Sequence, residues 1–302
     1  MNLRQLQYAV LLSQVLNISQ AAETLGISQP ALSKQIAGLE KEIGVELFNR
    51  STVPLTMTAA GECFVKEAKE ILLKEDELYR IMSDFKSGKK GKITIGISPF
   101  RAAYFLYDVI IKLQGIFPGL QVVLSEKNSA QLLKDTQEGL LDFSILNLPV
   151  DETVFDVIPL DKEPVVLAVP KHFLDEKGIT GNTEKKKFPI SFLAKFKDVP
   201  FIALGKSQEL RVLFDRLCSV AGLSPNITTE VVGITTAYNL AKAGIGAAIL
   251  PHRLVENSDI GENLLIFDLK NTACVRQPAI VMRKGQYISK YTKEALDLIT
   301  ER

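Results

Sequence analysis

Asn17 to Arg50 reads NISQAAETLGISQPALSKQIAGLEKEIGVELFNR, and this stretch decides how the rest of the chain is understood. Asn17, with Gln20 three residues on, fits a capping box that would satisfy the free amides of a helix running to about Leu25. Gly26 can take a left-handed turn at little steric cost. Ser28 is then a good cap for a second helix, Pro30 falls in its first turn where a missing N–H does little harm, and Ile27 can staple onto Leu32. In that second helix Leu32, Ile36, Leu39 and Ile43 recur every three or four residues and predict one apolar stripe. It would face the first helix and an N-terminal helix carrying Leu3, Leu6, Tyr8, Val10 and Leu11.

Gln29, Ser33 and Lys34 are left pointing outward from the second helix. An amide, a hydroxyl and an amine in the first turns of a helix are groups that suit base edges and phosphates in a major groove. Singly, such residues are ordinary solvated positions of a small bundle. Turn, staple, stripe and polar face agree here, which favours a reader of duplex DNA.

The N-terminal pattern resembles the LysR-type transcriptional regulators. The residues carrying the resemblance are Leu6, Ala21, Ala22 and Leu25, the run Ser28-Gln29-Pro30-Ala31-Leu32-Ser33-Lys34-Gln35-Ile36, then Leu39-Glu40, Gly44, Leu47-Phe48, Arg50, Leu55-Thr56 and Ala60-Gly61. The resemblance implies an overall α/β chain. Its parts would be a winged helix-turn-helix over residues 1–58, a dimerising linker helix and hinge over 59–90, and a two-lobed α/β effector domain over 91–302, similar to type 2 periplasmic binding proteins. Lobe I would comprise residues 91–160 and 268–302, and lobe II residues 161–267. By position, the resemblance implies DNA contacts from Ser28, Gln29, Pro30, Ser33 and Lys34 in the major groove, with Arg50 and Thr56 on the wing. Many members have Arg where this chain has Lys34, and Lys cannot grip guanine with a bidentate fork.

Charge adds a constraint. The whole chain has 302 residues and net charge +1, and through Lys90 there are 11 Lys and Arg against 11 Asp and Glu. Bulk electrostatics therefore cannot hold DNA, so binding must come from placement. Acids such as Glu40, Glu42 and Glu46 are expected to face away from the duplex. Two or four copies would multiply modest contacts, so the expected partners are double-stranded promoter DNA and further copies of the chain as a dimer or dimer of dimers. From about Thr58 to Phe85 the chain reads as one long helix, with Phe64, Ala68, Ile71, Glu75, Leu78, Met82 and Phe85 at the 3.5-residue period of a coiled-coil seam. A helix packed on its own domain is the alternative. Ser87 to Gly91 would break it with glycines and charge.

Beyond this point strands and helices alternate. Strands are expected at 93–98, 121–125, 143–146, 164–169, 200–204, 227–232, 247–250 and 279–283. Helices are expected to about Phe117 and at 129–138, 208–221, 234–243 and 289–301. Strict succession indicates open parallel sheets whose ligand crevice lies at the carboxyl ends of strands. Two crossings, near Pro159-Leu160 and at Leu264 to Leu269, would form a hinge between lobes. Ser98, Pro99, Phe100, Arg101, Asn128, Ser129 and Asn147 would line one wall of the cleft, with Lys206 and Thr235 opposite. Several helix N-termini converge there and favour an anion, Arg101 could fork a carboxylate, and Lys206 could add a second charge, so a small carboxylate is the expected effector. The resemblance singles out Ser98 and Ser129. The same serines and asparagines also suit plain helix caps, with Arg101 a surface residue.

No enzymatic constellation is legible. His172 and His252 have no partner at metal spacing, Gly244-Ile245-Gly246 lacks a nucleotide-binding frame, and Ser98 has no visible base, so no cofactor, metal or catalytic residue is expected. Cys63, Cys218 and Cys274 are scattered, as expected in a reducing cytosol, and a peroxide-sensing pair of Cys218 with Cys274 lacks close spacing. The start MNLRQLQYAVLLSQ has no basic leader and no apolar run is long enough to cross a bilayer, so the cytoplasm is the expected location. A solute-binding protein would account for 91–302 but not the N-terminal helices, and an α/β enzyme would account for the sheets but not the missing acid–base set.

Overall fold

The computed structural model describes residues 1–51, 54–85, 90–175, 187–259, 261–270 and 274–301. The chain divides into two compact units, Met1–Gly88 and Lys89–Arg302.

The first unit holds helices α1 (Leu3–Val15), α2 (Ile18–Thr24) and α3 (Gln29–Ile43), a two-stranded antiparallel ribbon of β1 (Phe48–Asn49) and β2 (Thr56–Met57), and the 27-residue α4 (Ala59–Phe85). Asn17 caps α2 by accepting from the Gln20 amide at 3.1 Å, while the full reciprocal box forms one helix earlier, between Asn2 and Gln5. Gly26 sits at φ +65° in the turn between α2 and α3, where any side chain would be strained. Ser28 Oγ accepts from the Ala31 amide, Pro30 lies in the first turn, and Ile27 packs against the core.

Leu32, Ile36 and Leu39 are buried as the period requires, but Ile43 is 38% exposed because α3 ends there and Glu40 takes the inward place one turn earlier. The inward row of α1 is Leu6, Ala9 and Leu12. Leu3 is exposed, and Tyr8, Val10 and Leu11 fall on the flanks of that row and are only half-buried. The expected seam of α4 splits in two: Ala68 is buried and Phe64 packs on the unit's own core, whereas Ile71, Leu78 and Met82 stand exposed. The side chain of Phe85, and Ser87 to Lys89 of the expected linker, lie outside the described residues. Lys90 and Gly91 are not linker but the start of a strand paired with Gly119 and Leu120.

The second unit contains two sheets. In the first, β3 (Lys90–Ile97), β4 (Gly119–Glu126), β5 (Phe143–Asn147), β6 (Phe155–Pro159) and β14 (Pro278–Arg283) run in the order β4-β3-β5-β14-β6. Ile93, Ile95 and Ile97 face α6 (Tyr107–Ile116) and α12 (Lys290–Thr300), while the opposite face packs on α7 (Ser129–Gln137) through Leu132 and Val281. A three-residue helix α5 (Pro99–Arg101) and a π-turn (Ala102–Leu106) lead into α6.

In the second sheet β7 (Glu163–Pro170), β8 (Lys187–Pro189), β11 (Ala248–Pro251) and β12 (Leu264–Lys270) run in the order β11-β7-β12-β8, and β13 (Val275–Arg276) pairs with the start of β7. The parallel pair β9 (Pro200–Leu204) and β10 (Asn226–Val231) joins through a bridge from Phe201 to Ala247. Its helices are α8 (Lys171–Asp175), α9 (Glu209–Ala221), α10 (Ile234–Lys242) and α11 (His252–Glu256), with a 3-10 turn at Ile190–Phe196. Val165 to Val169 are all buried, as expected of a strand covered on both faces.

Strict parallelism does not hold. β14 is antiparallel to β5 and β6, and β7 is antiparallel to β11 and β12. Both strands arrive from the other lobe, so each enters its sheet against the local direction. The second expected crossing is also displaced. Leu264 to Leu269 belong to β12 inside the second sheet, including Asp268 and Leu269, which sequence reading assigned to lobe I. The return to the first sheet comes after β13, at Pro278.

Candidate functional site

In the first unit, α3 buries its apolar stripe and turns Gln29, Pro30 and Lys34 to solvent, with Ser28 exposed at its cap and Ser33 half-buried beside them. Gln29 Nε2 donates to Ser33 Oγ at 3.2 Å, which pre-arranges the amide and hydroxyl side by side. Arg50 follows β1 and Thr56 opens β2 opposite Asn49, so both lie on the ribbon.

Sequence reading missed the part that fixes this ribbon. Glu40, expected among the outward acids, is buried. Its Oε1 accepts from the amides of Leu47 at 2.9 Å and Phe48 at 3.1 Å, and its Oε2 accepts from Arg50 Nη2 at 2.6 Å. One carboxylate thus ties α3 to the first strand of the ribbon and to Arg50. The available signals were an acid directly beside the apolar stripe and an Arg ten residues on. Glu42 pairs with the N-terminal ammonium instead.

In the second unit, Ser98, Asn128, Asn147, Lys206 and Thr235 all follow or end strands at their carboxyl ends, after β3, β4, β5, β9 and β10. Ser98 Oγ accepts from the Arg101 amide and Asn128 Oδ1 from the Gln131 amide, so both serve as caps, with Ser129 the first residue of α7. Pro99, Lys206 and Thr235 are exposed. Phe100, from the lobe I side, is buried in the core of the second sheet and stands 5.2 Å from the ring of Tyr104.

Arg101 is neither a surface residue nor a free fork. It is buried, and its Nη2 donates to Asn147 Oδ1 at 2.6 Å and to Glu163 Oε2 at 3.1 Å. Arg276 Nη2 donates to the same Glu163 oxygen, and Asn147 Nδ2 donates to Glu209. Burial and the neighbouring Arg101 together outweigh Glu163 and Glu209 at Arg276, whose guanidinium is pulled down to about 10, burial acting most. Sequence reading found Arg101 and Asn147 but missed Glu163, Glu209 and Arg276. Behind this knot a cavity of about 410 Å³ opens between Phe100, Tyr104, Lys162, Glu163 and Arg253. Cys218 and Cys274 are both buried: burial pushes the Cys218 thiol up to about 12 and raises that of Cys274.

A model of the bacterial regulatory helix-turn-helix protein, lysR family, matches residues 3–62, and one of the LysR substrate binding domain matches residues 86–302. The chain belongs to the LysR family. It is 31% identical to the HTH-type transcriptional regulator YcgK of Bacillus subtilis over all of this chain and 94% of that one. It is likewise 31% identical to the DNA-binding transcriptional dual regulator OxyR of Escherichia coli over 83% of this chain and 79% of that one. Among solved structures, full-length OxyR from Pseudomonas aeruginosa aligns with a TM-score of 0.70 at 23% identity, covering 100% of this chain and 97% of that one. Full-length CbnR complexed with its target DNA aligns with a TM-score of 0.64 at 20% identity, covering 100% and 99%. As a LysR-family protein the chain is a DNA-binding transcriptional regulator with an effector-binding domain. No helix among the described residues is long and apolar enough to cross a membrane.

Proposed function

We propose that this LysR-family regulator reads promoter DNA with Ser28, Gln29, Pro30, Ser33 and Lys34 of α3 in the major groove, with Arg50 and Thr56 of the ribbon against the backbone and minor groove. The observation that carries the reading is the division of α3, whose Leu32, Ile36 and Leu39 are buried while its first two turns present a bonded amide–hydroxyl pair and an amine. Residues 1–58 act as the DNA reader, α4 as the linker helix, and the chain from Lys90 onward as the effector part. Ile71, Leu78 and Met82 supply the face by which two α4 helices pair, giving a dimer or a dimer of dimers on DNA in the cytoplasm.

The effector is a small organic anion held where strand ends and helix starts converge, with Ser98 and Ser129 as donors. It acts by favouring one relative angle of the lobes over another. Thiol-based sensing at Cys218 is not favoured, since a thiol raised to about 12 carries almost no thiolate near neutrality. Gel-shift titration on the intergenic DNA beside its own gene tests the reading: Gln29→Ala with Ser33→Ala should weaken specific binding by about 1–3 kcal/mol per lost base contact with the fold intact. An unchanged footprint in that double variant refutes the assigned face.

A further inference from the structure

Two guanidiniums, Arg101 and Arg276, converge on one oxygen of Glu163, all three with side chains at most 12% exposed. One carboxylate between two cations leaves an excess of one positive charge in a poorly hydrated place. Two observations mark this excess as real. Arg276 Nε is buried without a hydrogen-bond partner, and the Arg276 guanidinium is held down chiefly by burial and also by Arg101. The second negative charge comes from Glu209, through Asn147, whose Oδ1 takes the Arg101 donor while its Nδ2 donates to Glu209. Asn147 ends β5 in the first sheet and Glu209 begins α9 beside the second, so this one contact spans the lobes. Arg101 and Arg276 are buried, and Glu163 is held between them. Glu209 is exposed and can leave.

We propose that Glu209 is a built-in stand-in for the effector's anionic group: its carboxylate balances the Arg101–Arg276 pair in the empty cleft, and an effector carboxylate enters by replacing it. The idea rests on the reading of the cleft as an anion site and adds how that site is regulated. Replacement keeps the charge balance but detaches α9 from β5, which couples occupancy to lobe angle without a separate switch. It also defines the ligand chemistry as one planar monoanion presenting an acceptor oxygen to the Asn147 amide. A cationic effector would leave two guanidiniums against Glu163 alone and is disfavoured.

The test uses the full chain, with sodium acetate as the probe, sodium chloride as the ionic-strength control and acetamide as the neutral isostere. Glu209→Gln removes the internal charge and should bind acetate about tenfold more tightly than wild type, read as a saturable rise in melting temperature. Glu209→Asp should return the response to the wild-type level, and acetamide should not distinguish the proteins. Equal acetate responses in wild type and Glu209→Gln, or an equal gain for acetamide, overturn the proposal. A footprint of the Glu209→Gln protein on the same intergenic DNA separates the two layers. If acetate binds more tightly yet leaves the footprint unmoved, the stand-in survives and the anionic-effector reading fails.

Discussion

Replacing Glu40 should detach the ribbon from α3, and the cost can be worked from its bonds. Glu40→Ala orphans two amides, those of Leu47 and Phe48, both of which belong to buried residues. Each unsatisfied amide costs about 1–3 kcal/mol. The Arg50 pair adds little, because the Arg50 side chain is 43% exposed and solvent screens such a contact to below about 1 kcal/mol. The expected loss is therefore about 2–6 kcal/mol, whereas Glu40→Gln, which keeps a carbonyl acceptor, should lose about 1–2 kcal/mol. Urea unfolding of the full chain followed by far-UV circular dichroism measures this, with the transition of the first unit expected to move alone. Gel shift of both variants below the midpoint should show weakened DNA binding that tracks the loss of tether. An Ala variant within about 0.5 kcal/mol of wild type, the range of an ordinary surface substitution, would refute the assignment of Glu40 as the tether.

Leu78, 56% exposed on α4, should tolerate Leu78→Lys without loss of helix content, while the charge on the pairing face shifts the protein toward monomer in sedimentation equilibrium; an unaltered association constant rejects that face. Iodoacetamide at pH 8 should modify Cys63, which is exposed, and spare Cys218, since burial disfavours the thiolate and a thiol at about 12 is ionised at roughly one part in ten thousand there. Native labelling of Cys218, mapped by mass spectrometry, would revive thiol-based sensing. Gly61→Ala should lower the melting temperature of the first unit, because an added Cβ would run into the Leu47 carbonyl oxygen, and backbone shifts of this kind cost about 1–3 kcal/mol. A melting curve identical to wild type would show that α4 can slide away from Leu47.

The reading head was legible because everything that makes it is local. Gly26, the Ser28 cap and the spacing of Leu32, Ile36 and Leu39 are signals within one or two helical turns, and the structure returns them where period and capping put them. Single strands were legible too, since runs such as Val165 to Val169 are apolar and bounded. Their direction was not. Whether β7 runs with or against β11 depends on which lobe the chain comes from, and no residue of β7 encodes that. The polar knot was out of reach for the same reason. Arg101 meets Glu163 across 62 residues and Glu163 meets Arg276 across 113, and a buried charge network shows no periodicity. Arg101 and Asn147 could be found only because both lie at strand ends; Glu163 opens a strand that sequence reading placed correctly but read only for its apolar run, and Arg276 sits on a two-residue strand it did not expect.

The two units use charge in the same way. In each, a carboxylate with little exposure holds arginine and, in the first, backbone amides: Glu40 holds Arg50 and the start of the ribbon, and Glu163 holds Arg101 and Arg276. Arginines that a charge count would offer to DNA or to an effector are therefore partly committed to architecture. With 11 bases against 11 acids through Lys90, and Arg50 shared with Glu40, the first unit has little electrostatic surplus with which to hold a duplex wherever it lands. Affinity then depends on placing a few contacts from each copy at once, and it falls when the copies are wrongly spaced. A regulator built this way is sensitive to geometry. A modest change in lobe angle, carried to the spacing of the readers, would alter occupancy more than it could in a protein whose binding rested on a broad positive field.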